Sequence, residues 1–217
     1  MEGGVVFLRY IIVLGSFLAL CIGCGCAPTG PAAERELDGV AIEPVANPTA
    51  GPPVVIVKVT DMRQFTSDTS DPSVTSMDRP EQISDRAIRV QTIGRFFASE
   101  VVLPQGQSVE TLVLDAVQNG LRAKGYTVVS NGAAGTPVEV EITKFWMWAN
   151  GQAFGPAPCA CDVEIKLKSP ITLSGAAETV AGTYVIHPAM SLGIALAVID
   201  DSLDDLSKNI QAKVKSP

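Results

Sequence analysis

The chain has 217 residues, with 16 Lys and Arg against 23 Asp and Glu and a net charge of −7. An acidic chain without a Lys/Arg cluster lacks the electrostatic footprint of a nucleic-acid binder, and it has no basic face for adhesion to anionic lipid. One histidine, His187, and five cysteines are sparse material for a metal centre or a histidine-based catalytic site.

The first element in the chain is an apolar run. After Arg9, residues 10–22 are uncharged and almost wholly apolar, and Cys26, Ala27, Pro28, Thr29, Gly30 and Pro31 then break the run. A bilayer-spanning helix needs roughly 20 apolar residues, so the run reads as a secretory signal covering 1–23. "LCIGC" (Leu20–Cys24) resembles the box of bacterial lipoproteins, a small residue followed directly by the cysteine that receives lipid. Cys21 stands where such boxes usually carry Leu and itself follows the large Leu20, so the lipidated residue is expected to be Cys24, with Cys26 after Gly25 in reserve. That resemblance implies several acyl chains, which is what stable anchoring requires. Gly25 rather than Asp beyond the cysteine implies release to the outer membrane, with the domain facing the periplasm.

Residues 24–53 contain Pro28, Pro31, Pro44, Pro48, Pro52 and Pro53 among Gly and Ala, a composition that favours an extended tether over a core. About 190 residues remain after the signal, and 54–217 fits one domain. "VVIVKV" (Val54–Val59) is its first strand. The tract 66–85 is rich in Ser, Thr and Asp and reads as a solvated insertion; its carboxylates lack the spacing and central Gly of a calcium loop. "AIRVQTIG" (Ala87–Gly94) suggests a short strand.

Ser108 is a plausible N-cap for a helix whose stripe is Val109, Leu112, Val113, Ala116, Val117, Gly120 and Leu121, and Gly125 is its stop signal. "YTVV" (Tyr126–Val129) is the strand that follows. "VEVEIT" (Val138–Thr143) alternates Val138, Val140 and Ile142 with Glu139, Glu141 and Thr143, so its sheet has one wet face. Its hairpin partner is "CACDVEIKLK" (Cys159–Lys168), in which Cys159 and Cys161 continue the apolar face of Val163, Ile165 and Leu167 as buried thiols. A further strand lies within 170–186, and Leu192, Leu196, Ile199, Leu203, Leu206, Ile210 and Val214 stripe a terminal helix over 190–214.

No nucleophile motif, phosphate loop or metal signature is present, so the expectation is a non-catalytic protein without cofactor or metal. The candidate partner site is the aromatic stretch "KFWMWANGQAFGPAP", where Phe145 and Met147 keep the phase of Glu139 and Glu141. They are expected to emerge on the polar face unless a bulge shifts the register or the terminal helix covers them; with Phe154 they form the expected contact set.

The elements predict an α+β domain of two layers, a mainly antiparallel sheet with two amphipathic helices on one face. In the order of these elements, from "VVIVKVTDMR" through "ETLVLDAVQNGLRAKGYTVV" and "VEVEITKFWMWANGQ" to the closing helix, the chain resembles the YajG-like lipoproteins. The resemblance implies a lipid-anchored outer-membrane protein with a periplasmic domain and no settled activity; the expected partner is an unidentified envelope protein or glycolipid. A second resemblance, to lipopolysaccharide-assembly and transporter-auxiliary lipoproteins, implies a role as a transport accessory.

Overall fold

In a computed structural model of the chain, the residues described are 35–36, 43–48, 50–63, 65–66, 75–76, 87–93, 98–103, 105–150, 159–186 and 192–217. All lie in the unit Ala32–Pro217. In chain order the elements are β1 (Arg35–Glu36), β2 (Pro53–Asp61), β3 (Phe65–Thr66), β4 (Thr75–Ser76), β5 (Ala87–Ile93), β6 (Ala98–Val102), α1 (Val109–Lys124), β7 (Thr127–Val129), β8 (Thr136–Asn150), β9 (Cys159–Lys168), β10 (Ala177–Ile186) and α2 (Leu192–Lys213). The class is α+β. Cys24, Phe154 and His187 lie outside the described residues, as does most of the polar tract.

β8 organises the sheet. Along its first half it has β2 on one side and β9 on the other, giving the order β7-β2-β8-β9-β10. Along its second half β5 takes the place of β2, with β6 and β1 beyond. The sheet is mixed rather than mainly antiparallel. β8-β9-β10 is a meander of hairpins, but β7 and β8 both run parallel to β2. For β7 the physical reason is the crossover, since a chain that leaves β2 and returns through α1 arrives pointing the same way; β8 then starts on the other side of β2 after residues 130–135 and runs in the same direction.

The local signals of α1 act as the sequence predicts. Ser108 Oγ accepts from Thr111 N at 3.1 Å while Thr111 Oγ1 accepts from Ser108 N at 2.8 Å, closing a capping box. Gly125 ends the helix in the left-handed conformation with φ 105°. Leu112, Val113, Val117 and Leu121 of α1 join Ile199, Leu203, Leu206 and Ile210 of α2 in one buried cluster with Val138, Val140, Ile142, Val163, Ile165 and Leu167 of the sheet. The other face of β8 and β9 is a charge ladder: Glu139 lies opposite Lys168, Glu141 opposite Lys166, and Lys144 opposite Glu164. The Lys168 ammonium, hydrogen-bonded to Glu141, holds that carboxyl below its ordinary range. Exposed pairs of this kind are screened by solvent and contribute little, so they keep that face wet more than they hold the fold.

The expectation for the aromatic stretch fails at one residue. The register of β8 against β9 shifts between Ile142 and Lys144, so Thr143 is an extra residue and every side chain after it changes face. Phe145 and Met147 therefore enter the core, each 1% exposed, opposite the buried Val163 and Cys161. Trp146 goes to the opposite face and is itself buried, its indole Nε1 without a hydrogen-bond partner among the described residues. Cys161 is buried as expected.

The expected tether to residue 53 also ends early. β1 pairs with β6, and residues 43–48 are clamped to the domain. The Asn119 amide accepts from Val45 N and donates to Glu43 O, both at 2.9 Å. A side-chain amide carries the same donor and acceptor as a peptide group, so it can grip an extended segment whose side chains stay largely exposed.

Asp200 on α2 has a carboxylate oxygen, Oδ1, that is buried without a hydrogen-bond partner among the described residues. Burial, with the charges of Asp201 and Asp204, pushes its carboxyl up from 3.8 to about 6. A carboxyl that titrates higher in the folded than in the unfolded state binds its proton more tightly when folded. The resulting stabilisation is present below pH 3.8 and is lost as pH rises through about 6. Asp200→Asn is thus expected to raise stability at pH 8 by about 1 kcal/mol, allowing for solvent screening, and to change it little at pH 4. Thermal melts of both proteins at the two pH values measure this.

Candidate functional site

A sheet that is not closed into a barrel presents unpaired backbone groups along its edges, and side chains take up some of those groups on β10 and β7. On β10, Asn209 Nδ2 donates to Ala181 O at 2.8 Å and Asp205 Oδ2 accepts from Thr183 N at 3.1 Å. On β7, Asn47 accepts from Val128 N at 3.1 Å and donates to Val128 O at 3.2 Å, taking the place of a neighbouring strand.

β2 is treated differently. β7 covers it only at Pro53–Val55, where Pro53, Val54 and Val55 align with Thr127, Val128 and Val129. At the far end Glu110, in the first turn of α1, accepts from Asp61 N at 3.0 Å. Between these two closures, on the side away from β8, no strand lies beside Ile56, Val57, Lys58 and Val59 among the described residues. The strand also bulges here, with its register against β8 shifting between Ile56 and Lys58, and Val57 stands 37% exposed. The open edge and the N-terminal turn of α1 form a groove of about 280 Å³, its walls made by Ile56, Val57, Val59 and Leu114 and its polar margin by Lys58, Ser108, Glu110 and Thr111.

The floor of this region is held rigidly. The pairing of β2 with β8 finishes with Met62 N donating to Ile142 O at 2.9 Å, and β5 takes over only at Trp146. Arg63 fills the interval: it is 8% exposed, grips the Asp61 carboxylate through Nε and Nη2, and donates from Nη1 to Phe145 O at 3.5 Å. A buried, doubly hydrogen-bonded ion pair fixes the end of β2 and with it the position of the groove.

The sequence-predicted contact set is not assembled at this site. Phe145 and Met147 are core residues, on account of the bulge at Thr143, and Phe154 lies outside the described residues. The residues that form the groove went unnoticed because Val57 and Lys58 sit in an ordinary strand pattern and Leu114 falls between the core positions of α1. The exposure of the first and the proximity of the others depend on where β7 stops. Among the described residues, no group of three His, Cys, Asp or Glu side chains converges as metal ligands, and no helix is long and apolar enough to cross a membrane.

No protein-family model matches the chain, and no curated protein matches it. Among solved structures, the crystal structure of an uncharacterized protein is similar at 11% identity and a TM-score of 0.46, over 83% of this chain and 98% of that one. The crystal structure of protein XCC0632 from Xanthomonas campestris, of the DUF330 family, is similar at 10% identity and a TM-score of 0.44, over 83% of this chain and 93% of that one.

Proposed function

We propose that the chain is an exported, lipid-anchored bacterial envelope protein of the YajG-like kind, whose domain serves as a non-catalytic interaction or assembly module on the periplasmic side of the outer membrane. The anchor half of this reading is supported by the uncharged run over residues 10–22 and by Gly23 immediately before Cys24. The binding half rests on one observation, the edge of β2 beside α1 along which no strand pairs among the described residues, while Asn47, Asp205 and Asn209 bond outward backbone groups of β7 and β10. An edge left open next to an apolar wall is a surface for another molecule rather than a requirement of the fold.

Mass spectrometry of the mature amino-terminal peptide tests the anchor. The expected result is an acylated cysteine at Cys24. An unmodified amino terminus beyond Cys26 would contradict lipid anchoring.

A further inference from the structure

We propose that the groove beside β2 receives an extended polypeptide segment of a partner protein, which adds to β2 as a short strand and places a carboxylate against Lys58. The inference deepens the interaction-module reading and rests on it. The recognising chemistry is the backbone itself. Asp61 N–H points away from β8 to Glu110, while Met62 N–H points toward β8. The N–H of Val59, two residues before Asp61 in the same strand, therefore points outward as well, into the groove. Donors and acceptors repeated along an extended edge are matched by another extended backbone, and by neither an acyl chain nor a sugar. β7 already uses this edge in that manner at Pro53–Val55, so an added segment continues a pairing the molecule makes for itself.

The side chains narrow the partner further. Val57, Val59 and Leu114 offer apolar contact to alternate residues of the incoming strand, and Lys58, which lies opposite Glu139 of β8 and acts on Glu141 without a close ion pair among the described residues, sets an ammonium on the polar margin of the groove. A second copy of the chain fits poorly. Antiparallel pairing of two such edges about their centres sets Ile56 against Val59 and Val57 against Lys58, so each ammonium would face a valine and no carboxylate of the other copy. The bulge at Val57 and the grip of Glu110 on Asp61 also limit the open stretch to four residues, Ile56–Val59, too short for extensive edge-to-edge association.

The probe is a terminally blocked peptide of six alternating Val and Thr residues with one Thr replaced by Glu, titrated into the full-length chain in detergent while amide signals are followed by NMR. Saturable shifts centred on Val57–Val59 are expected. Methylating alternate amide nitrogens of the peptide should weaken binding at least about tenfold, as should Val59→Pro, which removes an outward N–H together with a groove side chain, whereas Val59→Ala, which keeps the N–H, should weaken it less. Lys58→Glu should reject the Glu peptide and accept its Lys counterpart, a reversal that a merely destabilised protein would not produce and that keeps the test decisive should Val59→Pro fail to fold. Several results would overturn the proposal: no saturable binding, binding indifferent to N-methylation and to Val59→Pro, equal affinity of Lys58→Glu for both peptides, or self-association of the chain through this edge. None of these would touch the acylation of Cys24, so failure here is distinguishable from failure of the anchored-protein reading.

Discussion

Replacing Phe145 and Met147 together by serine is expected to leave no stably folded domain at 25 °C. Each side chain is 1% exposed and both belong to the cluster shared by the sheet and the two helices. Truncating a buried Phe costs about 3–5 kcal/mol and a buried Met about 2–5 kcal/mol, and each serine adds a hydroxyl that must be buried. The sum, even reduced for shared cavity collapse, is comparable to the 5–15 kcal/mol that typically separates folded from unfolded domains. Urea denaturation followed by circular dichroism checks this: the double variant should show no cooperative transition, or a midpoint shifted far down. A midpoint close to that of the parent would return the two residues to the surface.

A substitution of one methyl group should have the second largest effect. A Cβ built on Gly182 of β10 would lie 2.3 Å from Ser202 O and 2.5 Å from Leu206 N, both backbone atoms of α2. Neither can swing aside as a side chain would. α2 must lift from the sheet, loosening Leu203 and Leu206 in the core and the hydrogen bond from Ser202 Oγ to Cys161 O. Gly182→Ala is therefore expected to cost about 3 kcal/mol, the upper part of the range for overpacking. Ala181→Ser, on the exposed neighbouring residue, should stay within about 0.5 kcal/mol. Denaturation midpoints of the two variants compared with the parent measure the contrast.

These two effects mark the limits of what the chain reveals before it folds. The stripe and caps of α1 are properties of contiguous residues, Val109–Lys124 between Ser108 and Gly125, and they were legible. So was the β8–β9 hairpin, whose strands alternate over Val138–Thr143 and Cys159–Lys168. The face reached by Phe145 was not, because it depends on the single extra residue Thr143, which carries neither the Gly nor the Pro that marks many irregularities. β6 (Ala98–Val102) escaped notice because five residues hold too short an alternation to stand out. The parallel placement of β7 and β8 on either side of β2 is a fact of topology, and strand periodicity does not encode direction.

The groove was illegible for a related reason. "VVIVKV" declares a strand, but whether Val57 is covered depends on β7 ending at Val129 after only three pairs. The clamp on residues 43–48 was hidden too, since a proline-containing, weakly apolar segment reads as tether until Asn119 and Asn47 are seen to hold backbone groups. Polar side chains that stand in for a missing strand have no sequence period. They become visible only once the edges are in place.

The open edge of β2 on an anchored domain is tested most directly by photocrosslinking in intact cells, with a photoreactive residue at Val57 and, separately, at Ala181 on the closed edge of β10. A polypeptide crosslink is expected from Val57, abolished by Val59→Pro and by loss of Cys24, with none above background from Ala181. Equal yields from the two edges, or a Val57 crosslink that survives Val59→Pro in a folded protein, would contradict it.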